Sequence, residues 1–383
     1  MEIAAGSPIP EGEVILTRGA IALETSRKAR VVLEAPATFR FASSQRLVLS
    51  RGRMSAEIPP AAKGFTVETP SSEVIDIGTN FGVDVAAGGV SEVHVFKGEV
   101  LARAGRSADR HSLRQDQALT LKADRATPRD VRGTAFIQSD EFQRLAAGLR
   151  PGRVTGWARS LATLRSEPTL FALPDLAEVS GGSFRRVQGR WPGSTAIEFT
   201  QPGDFLPLPL EGTSDALTLA AWVRLDRVPH TINSLLHVDG WGRTGQVHWM
   251  VAENQRMRLA VYDVPRVNPP TEQRYPESER PVLAATGRWT HLAVVYDAPR
   301  RSVRFYLDGH LDNEVEVAMS VPVVLGPARV GNWNQVDRMF SGRLDELVVL
   351  GRALSDAEVQ SLYRAGNPYG PVAESPIQSA SRW

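Results

Sequence analysis

The chain has 383 residues, with 44 Lys and Arg against 43 Asp and Glu and a formal charge of +1. That length holds two or three domains with cores of their own, and that charge supplies no field to gather nucleic acid or an anionic membrane. Hydrophobic residues at 42% and charged residues at 23% give a globular composition with no apolar run near the ~20 residues of a membrane span, and the absence of cysteine excludes disulfides, thiolate nucleophiles, iron–sulfur clusters and thiolate zinc sites.

The opening Met1-Glu2-Ile3-Ala4-Ala5 has neither the basic start nor the apolar stretch of a signal peptide and reads as a cut edge, so a missing N-terminal anchor is expected. No Trp or Tyr precedes Trp157, whereas six of the eight Trp fall from Trp191 to Trp333, so two differently built domains are expected. From Glu13 to about Leu121, short segments such as Phe65-Thr66-Val67, Val74-Ile75-Asp76-Ile77 and Val93-His94-Val95 alternate apolar and polar side chains at period two, the pattern of half-buried strands. Gly98 offers the positive φ of a tight hairpin turn, Asp76 is placed to bond the turn that follows it, and His94 is expected to face solvent. Residues 126–176 form a helical connector, with Ser139 as N-cap and Phe142, Leu145, Ala146 and Leu149 as one apolar face. Strands return from about Gly193 to Leu350, and Asp308-Gly309 marks a two-residue hairpin. Trp222 and Trp289 are expected in the core. Ser355-Asp356-Ala357-Glu358 reads as a capping box, and Asn367 onward as a flexible tail.

Three ordered blocks, Phe65-Thr66-Val67-Glu68-Thr69-Pro70, Gly78-Thr79-Asn80-Phe81 and Val93-His94-Val95-Phe96-Lys97-Gly98-Glu99-Val100, resemble the FecR family over about residues 14 to 122. The resemblance implies an extracytoplasmic β-roll from an envelope-spanning transducer that controls a sigma factor. Further along, Asp204-Phe205, Leu219-Ala220-Ala221-Trp222-Val223, Trp289-Thr290-His291-Leu292, Tyr306-Leu307-Asp308-Gly309 and Gly342-Arg343-Leu344-Asp345-Glu346 resemble the laminin-G-like, concanavalin A-like jelly roll. The pairing is similar to surface proteins of planctomycete-type bacteria. The fold class expected is therefore all-β with a short helical connector: a FecR-like β-roll at 1–125, the connector at 126–176, a jelly-roll sandwich at 177–366 and a tail at 367–383, with residues 1 to about 125 and about 168 to 366 expected to fold independently.

Glycosidases of this fold need two carboxylates about 5 to 9.5 Å apart. Leu344-Asp345-Glu346-Leu347 has no third carboxylate at the spacing of the usual Glu-x-Asp-x-Glu strand, which argues against an enzyme. The seven His contain no i, i+4 pair within a helix, which argues against a transition metal, and His291 is expected to be a hydrogen-bonded framework residue. The jelly-roll resemblance implies Ca2+ as the cofactor, held between loops with Asp204 and Asp345 at the acidic positions. Sugar recognition calls for aromatic faces and planar polar groups on loops. Asp239, Trp241 and His248 in one segment, and Trp333 and Asn334 in another, are the candidate ligand-binding residues.

Taken together, these readings point to a non-enzymatic extracytoplasmic protein of the periplasm or cell surface. A FecR-like transducer or assembly module would be joined to a domain that binds a glycan or another envelope protein, with no nucleic acid and no membrane contact within this chain. The alternatives are a structural component of a surface assembly with no signalling role, or a glycoside hydrolase.

Overall fold

The computed structural model describes residues 8–105, 107, 109–263, 275–282, 287–317, 321–333 and 337–369. In the N-terminal half the period-two pattern becomes one curled sheet. Its hydrogen-bonded order is Arg110–Arg114, Glu99–Ala104, Ser72–Asp76, Thr66–Thr69, Arg46–Glu57, Asn80–Val85, Ser91–Lys97, Ala118–Lys122 and Arg125–Arg129. The long strand Arg30–Ser43 pairs beside Arg46–Glu57 and carries Val14–Leu16 and Ala20–Glu24 on its other edge. Strict alternation of buried and half-buried positions in Ser72–Asp76 and Glu99–Ala104 turns one face inward. Phe39, Phe65, Phe81, Val83, Val93 and Val95 fill that interior, each large side chain contributing about 1.5–3 kcal/mol on leaving water. The hairpin at Gly98 needs glycine twice over: its φ is +85°, and a Cβ there would lie 2.4 Å from the Gly78 carbonyl oxygen. The Asp76 carboxylate accepts from the Gly78 amide at 2.9 Å and from the Thr79 hydroxyl, closing the turn as expected.

The segment expected to open the connector at residue 126 instead continues this sheet, because Arg125–Arg129 pairs along Ala118–Lys122. Two helices follow, α1 (Ser139–Gly148) and α2 (Arg153–Arg165). The cap of α1 is Gln138, with no side-chain bond, and Ser139 is the first helical residue. Leu149, expected on the apolar face, is 46% exposed, while Glu141 is buried and accepts from the Tyr369 hydroxyl at 2.6 Å. A long-range tyrosine thus outranks the local periodicity in choosing which side of α1 faces inward.

The C-terminal half is a two-sheet sandwich. One sheet runs Arg185–Gln188, Thr195–Phe199, Ser341–Leu350, Ala216–Arg227, Thr290–Asp297, Ser302–Leu307 and His310–Glu316, with Leu170–Ala172 also paired to Ser341–Leu350. The other runs Leu206–Leu208, Ala328–Val330, Ile232–Val238, Val247–Ala252, Arg256–Val261 and Glu277–Pro281. Between them lies a core that includes Phe199, Leu219, Trp249, Leu292, Phe305 and Phe340. In Ala216–Arg227 the odd positions Leu219, Ala221, Val223 and Leu225 enter this core, and Trp222 points the opposite way. Trp222 and Trp289 are buried as expected, but on the outer face of the first sheet, packed with Leu145 of α1 and with Tyr363 and Tyr369. The helix α3 (Asp356–Gly366) carries Tyr363 and starts with the expected capping box between Ser355 and Glu358. Of the expected tail, Asn367 and Tyr369 are docked: both carbonyls accept from Arg153. Residues 370–383 lie outside the described residues.

The same strand parity builds the junction between the two halves. Glu198, Arg224 and Arg343 alternate with core residues and so project from the outer face of the sandwich toward the N-terminal sheet. Arg53 of strand Arg46–Glu57 donates to Glu198 through two nitrogens at 2.9 Å each and to Asp84 at 2.6 and 3.1 Å. Arg343 pairs with Glu34 at 2.8 Å, and Arg224 donates to the Thr134 and Phe136 carbonyls at 2.9 Å. Burial alone would raise the Glu198 carboxyl, but Arg53, Arg132, Arg185 and Arg343 outweigh it and hold the group well below the usual carboxylate range. Only full ionisation makes this dry, multiply paired arrangement tolerable. His94, expected at solvent, lies fully buried here against Phe136 and accepts from the Arg132 amide at 3.2 Å. Burial, reinforced by Arg132, pushes its imidazole down to about 3.

Candidate ligand-binding face

The helices and the N-terminal sheet pack on the outer face of the first sandwich sheet; the candidate site lies on the outer face of the second. In Ile232–Val238, Leu236 and Val238 enter the core and His237 points out; in Val247–Ala252, Val247, Trp249 and Val251 enter and His248 points out. Register then sets His248, His237 and Arg329 in one row across three strands.

Two half-buried indoles cover this row. Trp333 stacks on His237, with centroids 4.7 Å apart and planes at 16°. Trp241 meets His237, His248 and Tyr262 at 5.5, 6.0 and 5.4 Å, and the Arg338 guanidinium lies 5.9 Å from the Trp333 ring. Asp239 pairs with Arg329 at 3.2 Å. Its carbonyl accepts from the Gln246 amide at 2.8 Å, which anchors the loop presenting Trp241. His248 Nε2 shares a 2.8 Å hydrogen bond with the Ser234 hydroxyl. Burial, then Arg329, pushes His237 down to about 4. Burial followed by His237, Arg338 and Arg258 holds His248 well below the usual imidazole range, so both rings are neutral at pH 7. Among the described residues, the buried His237 Nδ1 and Trp333 Nε1 have no hydrogen-bond partner. Chemically this is an aromatic surface built on two neutral imidazoles, one bonded to the Ser234 hydroxyl, and edged by guanidinium donors, suited to stacking and hydrogen bonding.

Residues 199–360 match the family described as the concanavalin A-like lectin/glucanases superfamily, and residues 21–101 match the FecR protein family. The chain carries a FecR domain followed by a concanavalin A-like domain. Among solved structures, the chain is similar to the binding domain of botulinum neurotoxin serotype G, with a TM-score of 0.40, 13% identity, and 52% of this chain and 47% of that one covered. It is also similar to domain 4 of AbnA, a GH43 extracellular arabinanase from Geobacillus stearothermophilus in complex with arabinotriose, with a TM-score of 0.37, 18% identity, and 49% and 84% covered. The serotype D binding domain aligns over 45% of this chain and 42% of its own length, at 12% identity and a TM-score of 0.37. The chain thus spans less than half the length of these two neurotoxin domains. No curated protein matches the chain in sequence.

Of the residues singled out in the sequence, the concanavalin A-like domain gathers Asp239, Trp241, His248 and Trp333 on one face. Asn334 lies outside the described residues. His237, the residue they surround, Tyr262 and Arg329 complete the cluster and were absent from the candidate set. His237 had a sequence signal, a polar residue between apolar neighbours in a strand, but that pattern does not reveal which strand lies opposite.

Asp204 and Asp345 are not brought together. They sit beyond opposite ends of strand Thr195–Phe199, and each carboxylate serves its own turn. Asp204 accepts from the Thr200 and Gln201 amides at 2.7 and 3.0 Å and from the Ser183 hydroxyl at 3.0 Å. Asp345 accepts from the Arg190 amide at 3.1 Å and pairs with the Arg190 guanidinium at 3.0 Å. Neighbouring Glu346 is also engaged, by Arg190 and the Trp157 indole, and burial raises its carboxyl. A paired-carboxylate reaction across an open groove therefore has no support at Asp345 and Glu346. Among the described residues, no group of three or more His, Asp or Glu is placed to hold a metal ion. His291 is a framework residue by packing, between Trp222 and Tyr363, but its Nδ1 has no hydrogen-bond partner.

Proposed function

We propose that the chain is the extracytoplasmic part of a non-enzymatic envelope protein, whose concanavalin A-like domain binds a glycan or an envelope-protein surface and whose FecR domain serves as transducer or assembly module. The observation that carries this reading is the pair of half-buried indoles, Trp241 and Trp333, stacked around neutral imidazoles on the sandwich face away from the FecR domain. Aromatic faces of this kind stack on the apolar faces of sugar rings and are enriched at recognition hot spots. The domain content supports an envelope setting, and among the described residues no helix is long and apolar enough to cross a membrane. Glycan-array or pull-down binding by the full chain tests the proposal: Trp241→Ala and Trp333→Ala each lose binding while melting like the parent. Undiminished binding in both variants removes this face as the site.

A purely structural role in a surface assembly is favoured by one feature, the buried, charge-paired junction, which joins the two domains into a stiff body. Resistance of the junction to proteolysis in the full chain, together with the absence of any ligand for the aromatic face, is the outcome that selects it.

A further inference from the structure

A cleft of about 320 Å³ opens where the two domains meet, independent of the aromatic face. Its walls carry Arg51, Arg53, Arg185, Arg186 and Arg343 against one carboxylate, Glu34. Behind them lie Asp84 and Glu198. These three carboxylates are consumed by three of the guanidiniums: Arg53 holds Asp84 and Glu198, Arg185 holds Asp84 at 2.8 and 3.1 Å, and Arg343 holds Glu34 at 2.8 Å. Among the described residues, two guanidiniums of the cleft have no carboxylate partner. Arg51, from the FecR domain, is exposed. Arg186, from the concanavalin A-like domain, is also exposed; it donates only to the Val179 carbonyl and lies 5.1 Å from the Phe184 ring.

One further feature marks an unfilled preference for negative charge. The buried Nε of Arg343 has no hydrogen-bond partner, because its 3.5 Å approach to Glu198 is a Coulombic contact without bonding geometry. Burial lowers the Arg343 guanidinium, with Glu34 and Glu198 pulling it up and Arg53 and Arg224 pushing it down. Gly52 in the cleft lining has φ +107°, and a Cβ there would lie 2.6 Å from the Ala37 Cβ, so glycine is required for the close approach of the two strands that form this wall. The volume is that of a small-molecule site, at the lower end of the range.

We propose that this cleft binds a small carboxylate-bearing ligand, such as a uronic acid or a di- or tricarboxylate, gripped by Arg51 from one domain and Arg186 from the other. The planar fork of a guanidinium matches a carboxylate bidentately, and a ligand held from both sides clamps the junction. The test is titration calorimetry and thermal melting of the full chain with glucuronate and citrate, with inorganic phosphate and sulfate as parallel arms. Saturable carboxylate binding with a raised melting temperature is expected. Arg51→Ala or Arg186→Ala should weaken it about 10- to 100-fold, the cost of a charged hydrogen bond, and Arg51→Lys should recover only part, since it restores charge without the fork. Both arginines are exposed, so the variants should fold. Trp241→Ala should bind these probes like the parent, which separates failure here from failure of the aromatic face. Absence of saturable binding at about 10 mM probe, or binding that survives the Arg51→Ala, Arg186→Ala double substitution, overturns the proposal. Phosphate or sulfate binding as tightly as the carboxylates overturns the choice of ligand.

Discussion

Glu198→Gln is the sharpest perturbation of the domain junction, because it preserves shape and removes one charge from a site with no exposure. In the parent this carboxylate receives two 2.9 Å bonds from Arg53 and lies 3.5 to 3.6 Å from Arg132, Arg185 and Arg343. Neutralising it leaves those guanidiniums buried with one counter-ion fewer, a change that typically costs about 3–5 kcal/mol. If the 383 residues melt as one unit, an unfolding entropy of ~2.1 cal/mol/K per residue gives about 0.8 kcal/mol/K, so the loss lowers Tm by roughly 4–6 °C. Differential scanning calorimetry should show one main transition in the parent, shifted or split in two by Glu198→Gln. Glu24→Gln, at an exposed pair with Lys28, should change little. Two independent transitions in the parent, neither moved by Glu198→Gln, would refute the claim that this network couples the domains. The separate folding of residues 1 to about 125 and about 168 to 366, expected from the change in composition, is thus replaced by an expectation of coupled melting.

Trp222→Ala should lose about 3–5 kcal/mol of stability through the cavity it leaves, whereas Trp241→Ala and Trp333→Ala should lose binding and far less stability; equal melting of all three would assign both indoles to packing. His94 and His291 are each held neutral to about 3 by burial, below the ~6.5 of the unfolded chain. The unfolded state therefore takes up protons first as pH falls, and stability present above pH 6.5 should drop by about 2 kcal/mol per residue by pH 5. Carboxyls that burial raises, such as Asp226 and Glu346, act in the opposite sense. Denaturant melts at pH 7 and 5 read the balance, and a flat profile would contradict the buried histidines. Asp204→Ala removes the acceptor of two turn amides and should cost about 1–3 kcal/mol, equally in calcium and in chelator; a loss seen only with calcium present would instead make Asp204 a ligand.

Local physics made much of this protein legible in the chain. Alternation at period two produces strands wherever one face is buried, and Asp308-Gly309 and Ser355 through Glu358 carry their own turn and cap chemistry, so those elements could be read before any contact was known. The apolar strand sequences around Trp222 and Trp289 even announced that both would be buried. What parity cannot say is which neighbour does the burying. Trp222 lies under Tyr363 rather than inside the sandwich, His94 is shut in by Phe136 rather than open to solvent, and Glu198 and Arg343 sit among strand residues that look ready for water. For Trp222, Glu198 and Arg343 that second surface arrives from more than a hundred residues away or from a separate domain, and for His94 it is the segment that follows its own sheet. The aromatic face divides the same way: Trp241 and Trp333 stand out as loop aromatics, but the row of His248, His237 and Arg329 beneath them exists only because register sets three strands side by side. A sequence records which way a side chain leaves its own strand, and only the packed structure decides what it meets.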